Sequence, residues 1–98
     1  MAELRFEWDP AKARTNLRKH GVSFEEAESV FYDEHALLVD DPEHSEDEDR
    51  FVLLGLSDRF RVLVVVHAYG EQEAVIRLIS ARKATRSERI RYEARWRP

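Results

Sequence analysis

Residues 51–81, FVLLGLSDRFRVLVVVHAYGEQEAVIRLISA, hold three apolar runs divided by two turn signals. Phe51 to Leu56 reads as a strand and Ser57-Asp58 as a turn. Phe60 to Ala68 reads as a long strand rich in Val. Gly70-Glu71-Gln72-Glu73 is a hairpin loop, and Val75 to Ala81 is another strand. Strands joined by such short connections run antiparallel to one another. The stretch therefore predicts a meander, with Val62 to Val66 as its most buried part.

The flanking segments supply the helices. Leu4-Arg5-Phe6-Glu7-Trp8 alternates apolar and polar residues, as a half-buried strand does. Asp9 suits a helix N-cap and Pro10 the first helical position, where a missing N–H costs nothing. The helix runs to about His20, and Gly21 supplies the left-handed stop. Ser23 and Glu26 fit a capping box that opens a second helix from Phe24 to about Tyr32. Phe24, Ala27, Val30 and Phe31 form its buried stripe. Ala36 to Val39 is a short strand, and Asp41 to Asp49 an acidic loop. Thr85-Arg86-Ser87-Glu88 is another capping box, opening a helix through about Ala94. The order β-α-α-β-β-β-β-α predicts an α+β fold: an antiparallel meander carrying two N-terminal helices and one C-terminal helix.

The chain has 98 residues, 43% hydrophobic and 37% charged, which predicts one folded domain over residues 1–98. Cysteine is absent, so disulfides and thiolate metal sites are excluded and a reducing cytoplasm is the expected setting. The N-terminal residues contain no apolar run suited to a signal peptide, and no segment is long enough to span a membrane. The net charge of -4 conceals an asymmetry: nine acids and no Lys or Arg between Asp33 and Asp49, then eight Lys or Arg against two acids between Arg77 and Arg97. A basic segment on an acidic protein can bind phosphate, because local potential outweighs net charge.

Several stretches together resemble the BrnT family of toxins. Phe6-Glu7-Trp8-Asp9-Pro10 with Lys12, Asn16 and Lys19-His20-Gly21-Val22 is similar to its N-terminal signature, continued by Phe24-Glu25-Glu26-Ala27 and Asp33. Ile76-Arg77-Leu78-Ile79-Ser80-Ala81-Arg82-Lys83-Ala84-Thr85, followed by Glu88-Arg89 and Tyr92, is the strongest match. The resemblance implies a RelE-like fold and a metal-independent endoribonuclease that arrests growth by cutting RNA. It also implies a BrnA-like ribbon-helix-helix antitoxin, in a complex of two copies of each, which contacts operator DNA and represses its own operon. The sequence departs from the family pattern at one place. The turn after the long strand, His67-Ala68-Tyr69-Gly70-Glu71, lacks the Arg that many relatives carry there. That departure keeps a second reading open, a catalytically weak binding module acting with its antitoxin as a transcriptional co-repressor. A plain RNA-binding protein using the basic C-terminal segment is a third.

Metal-independent RNA cleavage uses the 2′-hydroxyl as nucleophile. It needs help with two proton transfers and fixed cations where negative charge grows. Arg77, Arg82 and Lys83 are the leading phosphate ligands, since the planar guanidinium grips two oxygens at once. Arg82 and Lys83 precede the helix capped by Thr85, whose N-terminal N–H groups favour an anion. Arg77 is odd-numbered with Val75, Ile79 and Ala81, so strict alternation places it on their face. His67 and Tyr69 are the acid–base candidates, two residues apart on one strand face, with a half-buried, structural His67 as the competing explanation. Glu88 is read as structural, through its capping role. Lys12, Lys19 and His20 form a second basic group for RNA, with Arg86 beside the helix start; solvation and the helix dipole are the competing explanations. Trp8 and Tyr32 are read as core. Trp96, among Arg91, Arg95 and Arg97, fits base stacking, packing on the sheet or insertion into an antitoxin equally well. The acidic loop is read as solvated, or as steering a basic partner. The four histidines, His20, His35, His44 and His67, have no metal-ligand spacing, so no metal or other cofactor is expected.

Overall fold

The structure is a computed structural model that describes residues 4–40, 50–70 and 74–96. The elements are β1 (Arg5–Glu7), α1 (Pro10–His20), α2 (Phe24–Ser29), β2 (Leu37–Asp40), β3 (Phe51–Leu56), β4 (Val62–Tyr69), β5 (Val75–Lys83) and α3 (Arg86–Glu93). Single 3₁₀ turns, Val30–Tyr32 and Ala94–Trp96, extend α2 and α3. The acidic loop and the hairpin tip at 71–73 lie outside the described residues.

The expected α+β class holds, but the sheet is mixed rather than a pure meander. Its order is β1-β5-β4-β3-β2. β2 to β5 pair antiparallel, whereas β1 joins β5 in parallel, with Phe6 opposite Ile76 and Glu7 opposite Arg77. Short turns force antiparallel pairing, and β1 has none. Two helices separate it from the meander, so it is free to return along β5.

Alternation gives the sheet two buried faces. On one, Phe24, Ala27 and Val30 pack over Leu53, Leu63, Val65, Ile76, Leu78 and Ala81. On the other, α3 seats Tyr92 against Leu54 and Val64. The Tyr92 hydroxyl donates to the Asp33 carboxylate, which also accepts from the backbone of Leu56 at 2.8 Å and of His35 at 3.0 Å. This supplies the polar partner that a buried tyrosine needs. Gly55 lets the sheet approach α2: a Cβ there would stand 2.8 Å from Val30 Cγ1.

A β-bulge corrects the expected placement of Arg77. Val66 pairs with Ser80 and His67 with Leu78, which leaves Ile79 as an extra residue on β5. The bulge resets the alternation. Ile76, Leu78 and Ala81 share the core face, and Arg77 lies opposite them, exposed.

The expected ends of α1 are observed. Asp9 caps it by accepting from the Ala11 N–H at 2.8 Å, and Gly21 closes it at φ 70°. Ser23 caps α2 through the Glu26 N–H. Glu26 does not complete that capping box. Its carboxylate turns inward to the Ser57 hydroxyl at 2.7 Å and to the Arg61 guanidinium. Those partners hold its pKa below the ordinary carboxylate value despite burial. Phe60 belongs to the turn rather than to β4; it sits at φ 61° and is 85% exposed. Trp8 packs edge-on against Phe24, as expected, but Tyr32 is an exposed residue rather than core.

Asn16, buried on α1, stitches that helix to the sheet. β1 covers β5 only as far as Arg77. Beyond it, the Asn16 amide takes the place of a strand. It donates to Ala81 O at 2.9 Å, accepts from Ala81 N at 3.0 Å, and donates again to Val22 O at 2.9 Å.

Candidate functional site

The expected site residues do not converge. His67 and Tyr69 share the face covered by α2, whereas Arg77 and Arg82 lie on the opposite face. Lys83 follows Arg82, pairs with Leu63 and is exposed at the end of β5.

His67 is wholly buried, ringed by Phe31, Phe51 and Tyr69 with ring centroids 4.8, 6.1 and 5.5 Å away. Its Nδ1 stands 3.3 Å from Val65 O, and Nε2 has no hydrogen-bond partner among the described residues. Burial pushes its pKa below the ordinary imidazole value, so it is neutral at pH 7. RNA cannot touch a group in that position. Tyr69 is half-exposed at the rim of the same aromatic cluster.

Arg82 is engaged in a two-pronged ion pair with Glu88, at 2.8 and 3.0 Å. Glu88 also accepts from the Thr85 N–H at 2.8 Å and completes the expected capping box. The Arg82 guanidinium holds the Glu88 carboxyl down to about 2. This revises the reading of the α3 N-terminus as a phosphate seat. The protein's own Glu88 carboxylate already occupies it. Arg86, in the first turn of α3, remains exposed.

Arg77 has different neighbours. It lines a cleft of about 260 Å³ together with Asp9, Lys12, Arg50, Leu78 and Ile79. Three cations from three separate segments meet there: α1, the residue before β3, and the middle of β5. Among the described residues Asp9 is the single carboxylate lining the cleft, and it is committed to capping α1. Of the expected RNA-binding residues, Lys12 thus joins Arg77, while Lys19 and His20 line an adjoining groove. Arg50 is not legible in the sequence as a site residue. It ends the acidic run, and only the β3–β4 register carries it next to the bulged part of β5.

Trp96 packs back on the protein. It stacks on His35 with centroids 4.9 Å apart, and Arg95 donates to His35 O at 2.8 Å. No helix among the described residues is long and apolar enough to cross a membrane, and no cluster of metal-ligating side chains occurs among them.

Residues 8–88 match the family described as ribonuclease toxin, BrnT, of type II toxin-antitoxin systems. The fold is similar to the 1.1 Å crystal structure of the Brucella abortus ribonuclease toxin BrnT, at 21% identity and a TM-score of 0.65. That similarity covers 85% of this chain and 99% of the other. No curated protein matches the chain.

Proposed function

The chain belongs to the BrnT family of ribonuclease toxins from type II toxin–antitoxin systems, and we propose that it is itself a metal-independent endoribonuclease whose phosphate site is the Arg50–Arg77–Lys12 cleft. The observation that carries this reading is the meeting of those three cations in one cavity. In the proposed step the RNA 2′-hydroxyl attacks the adjacent phosphorus and gives its proton to water. The bond to the 5′-oxygen breaks, that oxygen takes up a proton, and a 2′,3′-cyclic phosphate and a 5′-hydroxyl result. Arg77 and Arg50 hold the non-bridging oxygens, where negative charge grows most. In this reading Lys12 donates the proton to the departing oxygen. Among the described residues no His or Tyr lines the cleft, so preorganised charge supplies more of the rate than proton transfer does.

Arg50 answers the missing Arg of the turn after β4. At Gly70 a Cβ would stand 3.2 Å from the Val75 side chain, so that position accepts a side chain only if Val75 gives way. Arg50 supplies a cation to the same end of the sheet from the neighbouring strand. If it does not compensate, the co-repressor reading takes over, in which the protein binds its antitoxin without cutting RNA.

A type II family implies an antitoxin. The proposed partner is a BrnA-like ribbon-helix-helix protein, in a complex of two copies of each, acting in the cytoplasm and contacting operator DNA only through the antitoxin. The test is incubation of the purified protein with end-labelled single-stranded RNA in excess EDTA. Fragments ending in a 2′,3′-cyclic phosphate, absent with Arg50→Ala and Arg77→Ala, are the expected result. Intact RNA with folded protein that still binds the antitoxin would favour the co-repressor.

A further inference from the structure

Helix α1 carries Lys12, Arg14, Arg18 and Lys19, plus His20, and no acid. The helix dipole accounts for cations in its last turn but opposes those near its start. Packing does not account for them either. An amphipathic helix turns its apolar stripe to the sheet. This one packs Ala13 against the core and leaves Leu17 52% exposed, while Lys12, Thr15, Asn16 and Lys19, positions i, i+3, i+4 and i+7, line a groove beside β5. Asn16 alone is buried, and it is the stitch that holds the helix.

Between this stripe and the bulge of β5 lies a groove of about 310 Å³, lined by Ile79 and Ser80 from the strand and by His20 at the end of the helix. It shares Lys12 and Ile79 with the Arg77 cleft. The two hollows therefore adjoin, with Lys12 common to both. From Lys12 to Lys19 the helix rises about 10 Å.

We propose that the α1–β5 groove is a second subsite, which holds the sugar–phosphate backbone of single-stranded RNA flanking the bond cut in the Arg77 cleft. Lys19 and His20 contact phosphates, and the Thr15 and Ser80 hydroxyls offer hydrogen bonds to phosphate or ribose. The subsite is indifferent to base identity, because among the described residues no Phe, Tyr or Trp lines it. It rests on the nuclease reading, and makes longer RNA a better substrate than a fragment that fills the cleft alone.

The test compares the wild type with Lys19→Glu/His20→Gln in the full chain, with Lys19→Gln as the milder variant should the first fail to fold. Binding of a nine-nucleotide 2′-O-methyl RNA is followed from 50 to 300 mM KCl, beside cleavage of a trinucleotide. The expected result is at least ~10-fold weaker binding of the nine-mer at low salt. Its log–log salt slope falls by about 0.7 for each phosphate that the variant leaves unneutralised. Trinucleotide cleavage is unchanged. An unchanged nine-mer affinity and slope would overturn the subsite while wild-type cleavage leaves the nuclease reading standing. Equal loss on nine-mer and trinucleotide would also overturn it, by merging the groove with the cleft. So would normal RNA binding with loss of antitoxin binding, which would make the groove a protein contact. Groove-dependent nine-mer binding by a wild type that cuts nothing would keep the subsite and reject the nuclease.

Discussion

His67 and Arg77 lie one register step apart on paired strands, yet their surroundings are opposite: His67 pairs with Leu78, and Ala68 with Arg77. The imidazole is sealed among aromatic rings under α2, and the guanidinium opens onto a cleft of three cations. Neighbours in a sheet share chemistry only when they share a face, because the side-chain period is two. Stability at His67 therefore belongs to the face closed by α2, and the proposed function to the part of the opposite face left open at Arg77, a division that substitutions on each face can break.

The largest effect falls on the open face. Arg77→Ala should lower RNA cleavage by ~10²–10³-fold, as removal of one preorganised charge does, in a protein that still folds. Loss of fold together with activity would move Arg77 to the structural side. On the closed face, Arg61→Ala leaves the Glu26 carboxylate buried beside Ser57 alone. It should cost about 3 kcal/mol in urea unfolding, as removal of one partner of a buried pair does. A cost below ~1 kcal/mol, the range of an exposed pair, would mean that water takes the guanidinium's place.

Asn16 is where the faces are joined, so its substitution sharpens the comparison. Asn16→Ala orphans Ala81 N–H and leaves the Ala81 and Val22 carbonyls one bond short, a loss of about 2 kcal/mol. Because α1 also carries Lys12, cleavage should fall as well. Of these variants, only this one should move both readouts.

The smallest effect concerns pH. His67 has a folded-state pKa below its unfolded value of 6.5, so the unfolded chain binds the proton more readily. The contribution of neutral His67 is fully present above pH 6.5 and is lost as pH falls through the folded pKa, by at most about 1.4 kcal/mol per pH unit. His67→Phe should flatten the stability profile below about pH 6.5. It should leave stability at about pH 8 within about 1.5 kcal/mol of the wild type. An unchanged profile would mean that the cage admits the proton at no cost.

Most of the element order is legible in the sequence, because caps and turns carry local chemistry. Asp9-Pro10, Gly21 and Thr85–Glu88 mark helix ends that the structure reproduces. Long-range features are not. Nothing local tells β1 to lie parallel to β5, or Glu26 to prefer Arg61 over its own helix start. Strict alternation puts Arg77 on the wrong face because a bulge at Ile79 breaks the count, and a bulge is a property of two strands. The site is half legible for the same reason. Arg77 and Lys12 stand out by type, whereas Arg50 enters only through pairing, and Arg82 is claimed by Glu88.

The most direct measurement is cleavage of labelled single-stranded RNA by purified Arg77→Ala and His67→Phe proteins, side by side with their melting curves at about pH 8, where neutral imidazole is the stable form. Arg77→Ala is expected to remain folded, with a single cooperative melting transition, and to cut RNA ~10²-fold or more slowly, while His67→Phe cuts like the wild type. Loss of cleavage in a folded His67→Phe protein, with Arg77→Ala still active, would contradict the division of the two faces.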